Sequence, residues 1–370
     1  MLLALSMAVP PVVDHLRAAG LLLKISDHND QSWLAQFGAN EVRTLDLVVP
    51  GGAEPIPARL YIPVGVKHPA PIVVMHGVHY LGIEEPRLVN FARALSSRGY
   101  LVLTPYLADL ADYEVTPRTA DTIGFAVEEL KRISGAKKVA VLGLSFSGGM
   151  ALMTDADARF APDISLIGAI GSHDDIGRVL QYFATNRAED PDGRSYTVSA
   201  HEYGALIGIF EHPEVLFSPE DVAQARITLR YHLHEEPGRD RLEAAKLSPQ
   251  GQRTMQELFD HRMDVIAPVV LGYVKQHAAE LTAISPHPLL SHVTAPVYLL
   301  AGSEDNIVPP TETLWLDQDL PRQVTGHTLI TPVFSHVNAG GGTLRRRLEL
   351  IHWMAEFMEA AKRYRATVSY

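Results

Sequence analysis

The chain has 370 residues, 46% of them apolar and 20% charged, with a net charge of −11 and no cysteine. This is ample material for a buried core, and it rules out disulfides, thiolate nucleophiles and cysteine-held metals. No basic run exceeds Arg345-Arg346-Arg347, which reads as the solvated face of a helix, so a nucleic-acid-binding surface is excluded as well.

Residues 1–40 read as an N-terminal helical segment. The stretch MLLALSMAVPPVVDHLRAAGLLLKI is apolar, yet no basic residue precedes its apolar run, and Pro10-Pro11, Asp14 and Arg17 interrupt it. A secretory signal needs a basic start, and a membrane span needs about twenty uninterrupted apolar residues. The expectation is a helix packed on the body of a cytoplasmic protein with no membrane span. The alternative is a signal or membrane-surface remnant.

Val42–Val49 and Ile56–Ile62 alternate in polarity around Pro50-Gly51-Gly52, which predicts an antiparallel hairpin. Pro71–Met75, Tyr100–Pro105, Val139–Leu142, Ile164–Gly171 and Pro296–Gly302 are apolar runs of buried-strand type, with Thr328–Val333 as the final strand. Helical spacing fills Glu85–Arg98 and Thr119–Ile133, stopped by Gly99 and Gly135, and a closing helix is predicted over Leu344–Lys362. Alternation of this kind predicts an α/β protein with a doubly wound, mainly parallel sheet. From about Ser172 to Ser285 the strands stop and helical patterns take over. The predicted organisation is a core of residues 41–171 and 286–370, with 172–285 inserted as a helical cap.

Within this frame, Lys137–Met153 (KKVAVLGLSFSGGMALM) runs strand, Gly-Ser turn, helix. A nucleophilic serine needs that context, because a sharp turn exposes Oγ at the carboxyl end of a sheet and turns the next N–H toward the same space. Ser145 is the candidate, two residues after Gly143. Ser147 offers a second register, and a serine that merely caps the helix is the structural alternative. A serine hydroxyl also needs a base and a carboxylate to orient that base. Asp305, in the turn Gly302–Pro310, supplies the acid, with Glu304, Asp174 and Asp175 as alternatives. His336, in a loop after the last predicted strand, supplies the base, with His327 as runner-up. The oxyanion donors expected are the N–H groups of Phe146 and Val78. His76, Gly77 and Tyr80 form the substrate-facing loop around Val78, with His76 bracing that loop rather than carrying a proton.

Gly143-Leu144-Ser145-Phe146, His76-Gly77, Gly302-Ser303-Glu304-Asp305-Asn306-Ile307-Val308-Pro309 and Ser335-His336-Val337 together resemble the α/β-hydrolase superfamily from about Val42 to Ala360. The acid turn is similar to the Gly-x-x-Asp-x-x-Val-Pro turn of dienelactone-hydrolase-like and esterase-like members. The resemblance implies a serine hydrolase cleaving a small-molecule carboxylic ester, thioester or lactone through an acyl-enzyme, without a cofactor. Serine at the nucleophile position sets it apart from the dehalogenases and epoxide hydrolases of this fold, which use aspartate. The alternatives are an acyltransferase on the same triad and a non-catalytic scaffold. Departures from the pattern are Ser147 where glycine is usual and a long insertion of unassigned type. No metal site is expected, because His201, His212, His232, His234, His261 and His277 lack the helical i, i+4 spacing that ligands favour.

Overall fold

The computed structural model describes residues 10–52, 54–335, 338–339 and 343–368. The chain divides into two compact units. One is built from the chain through Asp174 together with the chain from Pro286 onward, and the other is Asp175–Ser285.

The first unit carries an eight-stranded sheet: β1 (Val42–Val49), β2 (Ile56–Pro63), β3 (Ala70–Met75), β4 (Tyr100–Pro105), β5 (Val139–Leu144), β6 (Ile164–Ile170), β7 (Val297–Gly302) and β8 (Thr325–Thr331). Their spatial order is β1-β2-β4-β3-β5-β6-β7-β8. β1 and β2 pair antiparallel, as do β2 and β4, and every pairing from β4 onward across the sheet is parallel. The polarity of each run explains its place. β3 and β4 are buried at every residue, as interior strands covered on both faces must be. β1 keeps only Val49 buried and lies at the edge.

The strand order reverses between β4, β3 and β5, so the carboxyl ends of β3 and β5 lie side by side, with Met75 opposite Gly143. A switch of this kind opens a crevice between the loops leaving the two strands. The helices that frame it begin and end on local chemistry. Pro86–Ser97 starts with Pro86, and the Glu85 carboxylate accepts from Leu88 N–H at 2.8 Å. Pro117–Ser134 ends on Gly135 at φ 65°. The helix Pro10–Ser26 places Ala18 and Leu21 in the same apolar cluster as β3 and the helix Leu344–Ala361, all fully shielded from water. No helix among the described residues is long and apolar enough to cross a membrane.

The second unit contains the helices Ile176–Thr185, Glu202–Glu211, Val222–Leu233, Pro249–Phe259 and Met263–Gln276 with shorter ones between them. It also contains a hairpin, Arg187–Glu189 against Ser195–Thr197, where the sequence predicts no strand. Its strands are three residues each, too short to show a period. The turn makes the hairpin, with Asp190 Oδ1 accepting from Asp192 N–H and Arg194 N–H and Gly193 at φ 79°.

The return from the insertion is anchored in the core. Asp155, fully buried near the end of the helix Phe146–Ala156, accepts from the N–H groups of Thr294 at 2.6 Å and Ala295 at 2.9 Å. Burial pushes its carboxyl pKa up, and these donors pull against that shift. Asp155→Ala is therefore expected to cost about 1–3 kcal/mol in denaturant unfolding at neutral pH, since it strands the buried Ala295 N–H and releases the part-buried Thr294 N–H. Asp155→Asn keeps an acceptor without a buried charge, and should cost clearly less than the alanine variant.

Candidate active site

β5 ends at Leu144, and the helix Phe146–Ala156 begins two residues later. Ser145, alone between them, sits at φ 59° and ψ −135°, a left-handed conformation that costs a non-glycine residue about 1–3 kcal/mol. Its environment enforces the conformation. Ser145 N–H donates to Ile170 O at 2.8 Å, and Ser172 Oγ donates to Ser145 O at 3.0 Å. The side chain makes no capping hydrogen bond, so the helix start does not consume the hydroxyl.

Glycines allow the elements to close around this turn. A Cβ on Gly143 would fall 2.4 Å from the Gly148 backbone, and one on Gly148 would fall 1.9 Å from Ser172 Oγ. The strand and helix meet through Gly143 and Gly148 rather than through the usual glycine two residues after the serine. Ser147 takes that usual position fully buried, donating to Leu144 O at 2.8 Å and reaching Met75 O at 3.4 Å. Its hydroxyl is spent on backbone carbonyls.

The loop after β3 approaches Ser145 just as closely. A Cβ on Gly77 would lie 2.9 Å from Ser145 Cβ and 3.6 Å from its Oγ. Among the described residues, neither Val78 N–H nor Phe146 N–H has an acceptor. His76 holds this loop in place. Its Nδ1 lies 2.7 Å from Gly77 O, and its Nε2 accepts from Leu107 N–H at 3.0 Å. That pair of contacts requires a proton on Nδ1 and none on Nε2, a neutral ring. Burial lowers the His76 pKa to about 4, in keeping with that tautomer. Tyr80, farther along the loop, is exposed and stacks on His79 with ring centres 4.9 Å apart.

Asp305 follows β7, two strands across the sheet from β5. It is fully buried, and its Oδ1 accepts from Ile307 N–H at 2.9 Å and Val308 N–H at 3.0 Å. Glu304 beside it is exposed. Asp174 donates its N–H to Glu312 and directs Oδ2 to His287 Nδ1 at 3.2 Å, while Asp175 caps the helix Ile176–Thr185 through Arg178 N–H. His327 stands in the first half of β8, toward the amino edge of the sheet, the edge opposite to Ser145. His336 lies outside the described residues; the segments flanking it, Phe334–Ser335 and Asn338–Ala339, pair antiparallel after β8.

No family model matches the chain, and no curated protein matches it in sequence. Solved structures do. An acylaminoacyl peptidase in complex with Z-Gly-Gly-Phe-chloromethyl ketone gives a TM-score of 0.52 at 13% identity, over 90% of this chain and 43% of that one. A Legionella pneumophila protein assigned to the hydrolases gives 0.52 at 12% identity, over 93% and 94%. The chain has the α/β-hydrolase fold. The uncomplexed acylaminoacyl peptidase of Pyrococcus horikoshii is similar at a TM-score of 0.50 and 14% identity, over 89% of this chain and 42% of its own. This chain thus spans less than half the length of the two peptidases. Within the α/β-hydrolase fold, the β5 turn and the β3 loop are the places where Ser145 and Gly77 stand.

Two measurements probe this geometry. Ser145→Gly removes the Cβ that makes the left-handed turn costly, so it should be about 1 kcal/mol more stable than Ser145→Ala. Equal stability would mean that the turn carries no strain. For His76, acidification protonates the unfolded chain first, because the folded ring titrates near 4 against an ordinary 6.5. Its stabilising contribution is whole above pH 6.5 and is lost as pH falls from there toward 4. Ring-proton NMR shifts of His76 should stay constant from pH 8 to pH 5.5, and a titration step near pH 6.5 would contradict the tautomer.

Proposed function

We propose that the protein is a serine hydrolase that cleaves a carboxylic ester, thioester or lactone through an acyl-enzyme on Ser145. The observation that carries this reading is the Ser145 backbone, held left-handed at a strand–helix junction with its hydroxyl unused as a cap and Gly77 packed against it. Strain maintained by so many surrounding contacts belongs with pre-organised chemistry.

In this reading Ser145 Oγ attacks the acyl carbonyl as His336 takes its proton. The oxyanion is held by the N–H groups of Phe146 and Val78, each typically worth about 2.7–4 kcal/mol in the transition state. His336 returns the proton to the departing alcohol, and a water activated by the same ring then releases the acid and frees Ser145. Asp305 orients His336; two backbone donors on its Oδ1 hold the carboxylate in one orientation. Of the four carboxylates considered from sequence, Asp305 is the one buried in a turn at the carboxyl edge of the sheet without a capping duty or a bond to His287. A peptide amide is the second reading, favoured by the similarity to acylaminoacyl peptidases.

Fluorophosphonate labelling with peptide mapping tests the nucleophile. Ser145 should be modified, Ser145→Ala should abolish labelling, and His336→Ala should lower kcat/KM at least about 10³-fold. Labelling on Ser147 would overturn the assignment, and folded protein that takes no label would point to a scaffold. Comparing aryl esters with N-acyl peptide amides then separates esterase from peptidase, and partition of the acyl group to an added alcohol separates both from an acyltransferase.

A further inference from the structure

His327, His352 and Glu356 meet away from Ser145, on the outer side of β8. His352 and Glu356 are four residues apart on the helix Leu344–Ala361, so they share one face, and His327 projects from β8 beside them. His327 Nδ1 lies 2.6 Å from Glu356 Oε2, and His352 Nε2 lies 3.4 Å from Glu356 Oε1. One donor atom from each residue falls within 4.8 Å of the other two. We propose that this trio is a binding site for a divalent late transition-metal ion, of which Zn²⁺ is the representative.

The second coordination layer supports the assignment. His352 Nδ1 lies 3.0 Å from His15 Nε2, on the helix Pro10–Ser26. His352 can carry its proton on either ring nitrogen; when a cation takes the Nε2 lone pair, the proton sits on Nδ1 and is donated to His15. Metal-bound histidines characteristically donate their other ring N–H in this way. The backbone at His327 is held as well, since Trp353 Nε1 donates to its carbonyl oxygen at 2.9 Å.

Each donor atom lies within 4.8 Å of the other two, so tetrahedral spacing is reached by movements of about 1.5 Å or less. Zinc bonds of about 2.0–2.2 Å in a tetrahedron set ligand atoms roughly 3.3 Å apart. His352 Nε2 stands at that spacing from Glu356 Oε1, while His327 Nδ1 faces the other oxygen, Oε2. The His327–Glu356 pair must open by under 1 Å, and the Glu356 side chain, 41% exposed, is free enough to do so. Two imidazoles and a carboxylate suit Zn²⁺ and its neighbours rather than Mg²⁺ or Ca²⁺. His352 is half-exposed, which leaves the fourth position to water. The bound ion would tie together β8 and the C-terminal helix, with the N-terminal helix joined to them through His15.

Calorimetric titration of the metal-stripped full-length protein with Zn²⁺ alone is the test. One equivalent should bind. His352→Ala and His327→Ala should abolish that binding, and His15→Ala should weaken it about 10–100-fold with stoichiometry unchanged. The metal-free variants should melt close to the metal-free parent, which separates lost ligation from lost folding. Co²⁺ should quench the fluorescence of Trp353 in the parent and not in His352→Ala. The proposal is overturned if no Zn²⁺ binds, or if binding survives both histidine substitutions. It is equally overturned if binding is lost only in His287→Ala, which would place the ion at Asp174, His287 and Asp319.

Discussion

The left-handed backbone of Ser145 is the constraint on which the rest of the site depends. A residue at φ 59° keeps that conformation only if its neighbours leave no alternative. Here the neighbours are the β6 carbonyl of Ile170, the Ser172 hydroxyl, the glycine contact between β5 and the following helix, and Gly77 on the opposite side. They come from the end of β6, from β5 and its helix, and from the loop after β3, so the turn is right only when the parallel sheet is in register. The strand reversal that sets β3 beside β5 supplies the geometry, because it brings Gly77 and Ser145 out of adjacent strands at the same level.

His76 shows how burial and hydrogen bonding decide a role that residue type alone leaves open. A histidine next to a candidate nucleophile invites assignment as a base. Both of its ring nitrogens are occupied by backbone groups, one as donor and one as acceptor, and burial keeps the ring neutral. It is a rivet between the loops after β3 and β4. Ser147 is a comparable case: a serine beside a serine, yet directed into carbonyls on two strands.

Much of this was legible in the sequence, and the reasons are physical. Central parallel strands are apolar throughout, so β3, β5, β6 and β7 announce themselves, and a Gly-Ser turn between strand and helix has few other uses. What stayed hidden depends on contacts rather than periodicity. The opening of β8 is Thr325-Gly326-His327-Thr328, too polar to read as a strand, and its pairing with β7 makes it one. The work of the +2 glycine passes to Gly148, which follows from the packing of Ser172 and not from any motif. Among the described residues, the histidine–carboxylate pair at i, i+4 that meets a second histidine, His352 and Glu356 beside His327, lies in the C-terminal helix, away from the histidine-rich segment that draws attention.

Asp174 and His287 stand where the chain leaves the sheet-bearing unit and comes back to it. Their backbones are joined, His287 N–H donating to Asp174 O at 3.1 Å, and Asp155 grips the returning chain a few residues on, at Thr294 and Ala295. The second unit closes its own ends likewise, through Ile176 N–H on Ser285 Oγ at 2.9 Å. The sheet-bearing unit therefore bridges the gap with its own bonds, as though a short loop ran from 174 to 286. Lengthening a loop whose ends are already pinned costs little and grows only logarithmically with length. The junction is thus a socket in evolutionary terms: segments of other lengths and shapes could be exchanged there while the β5 turn stays undisturbed.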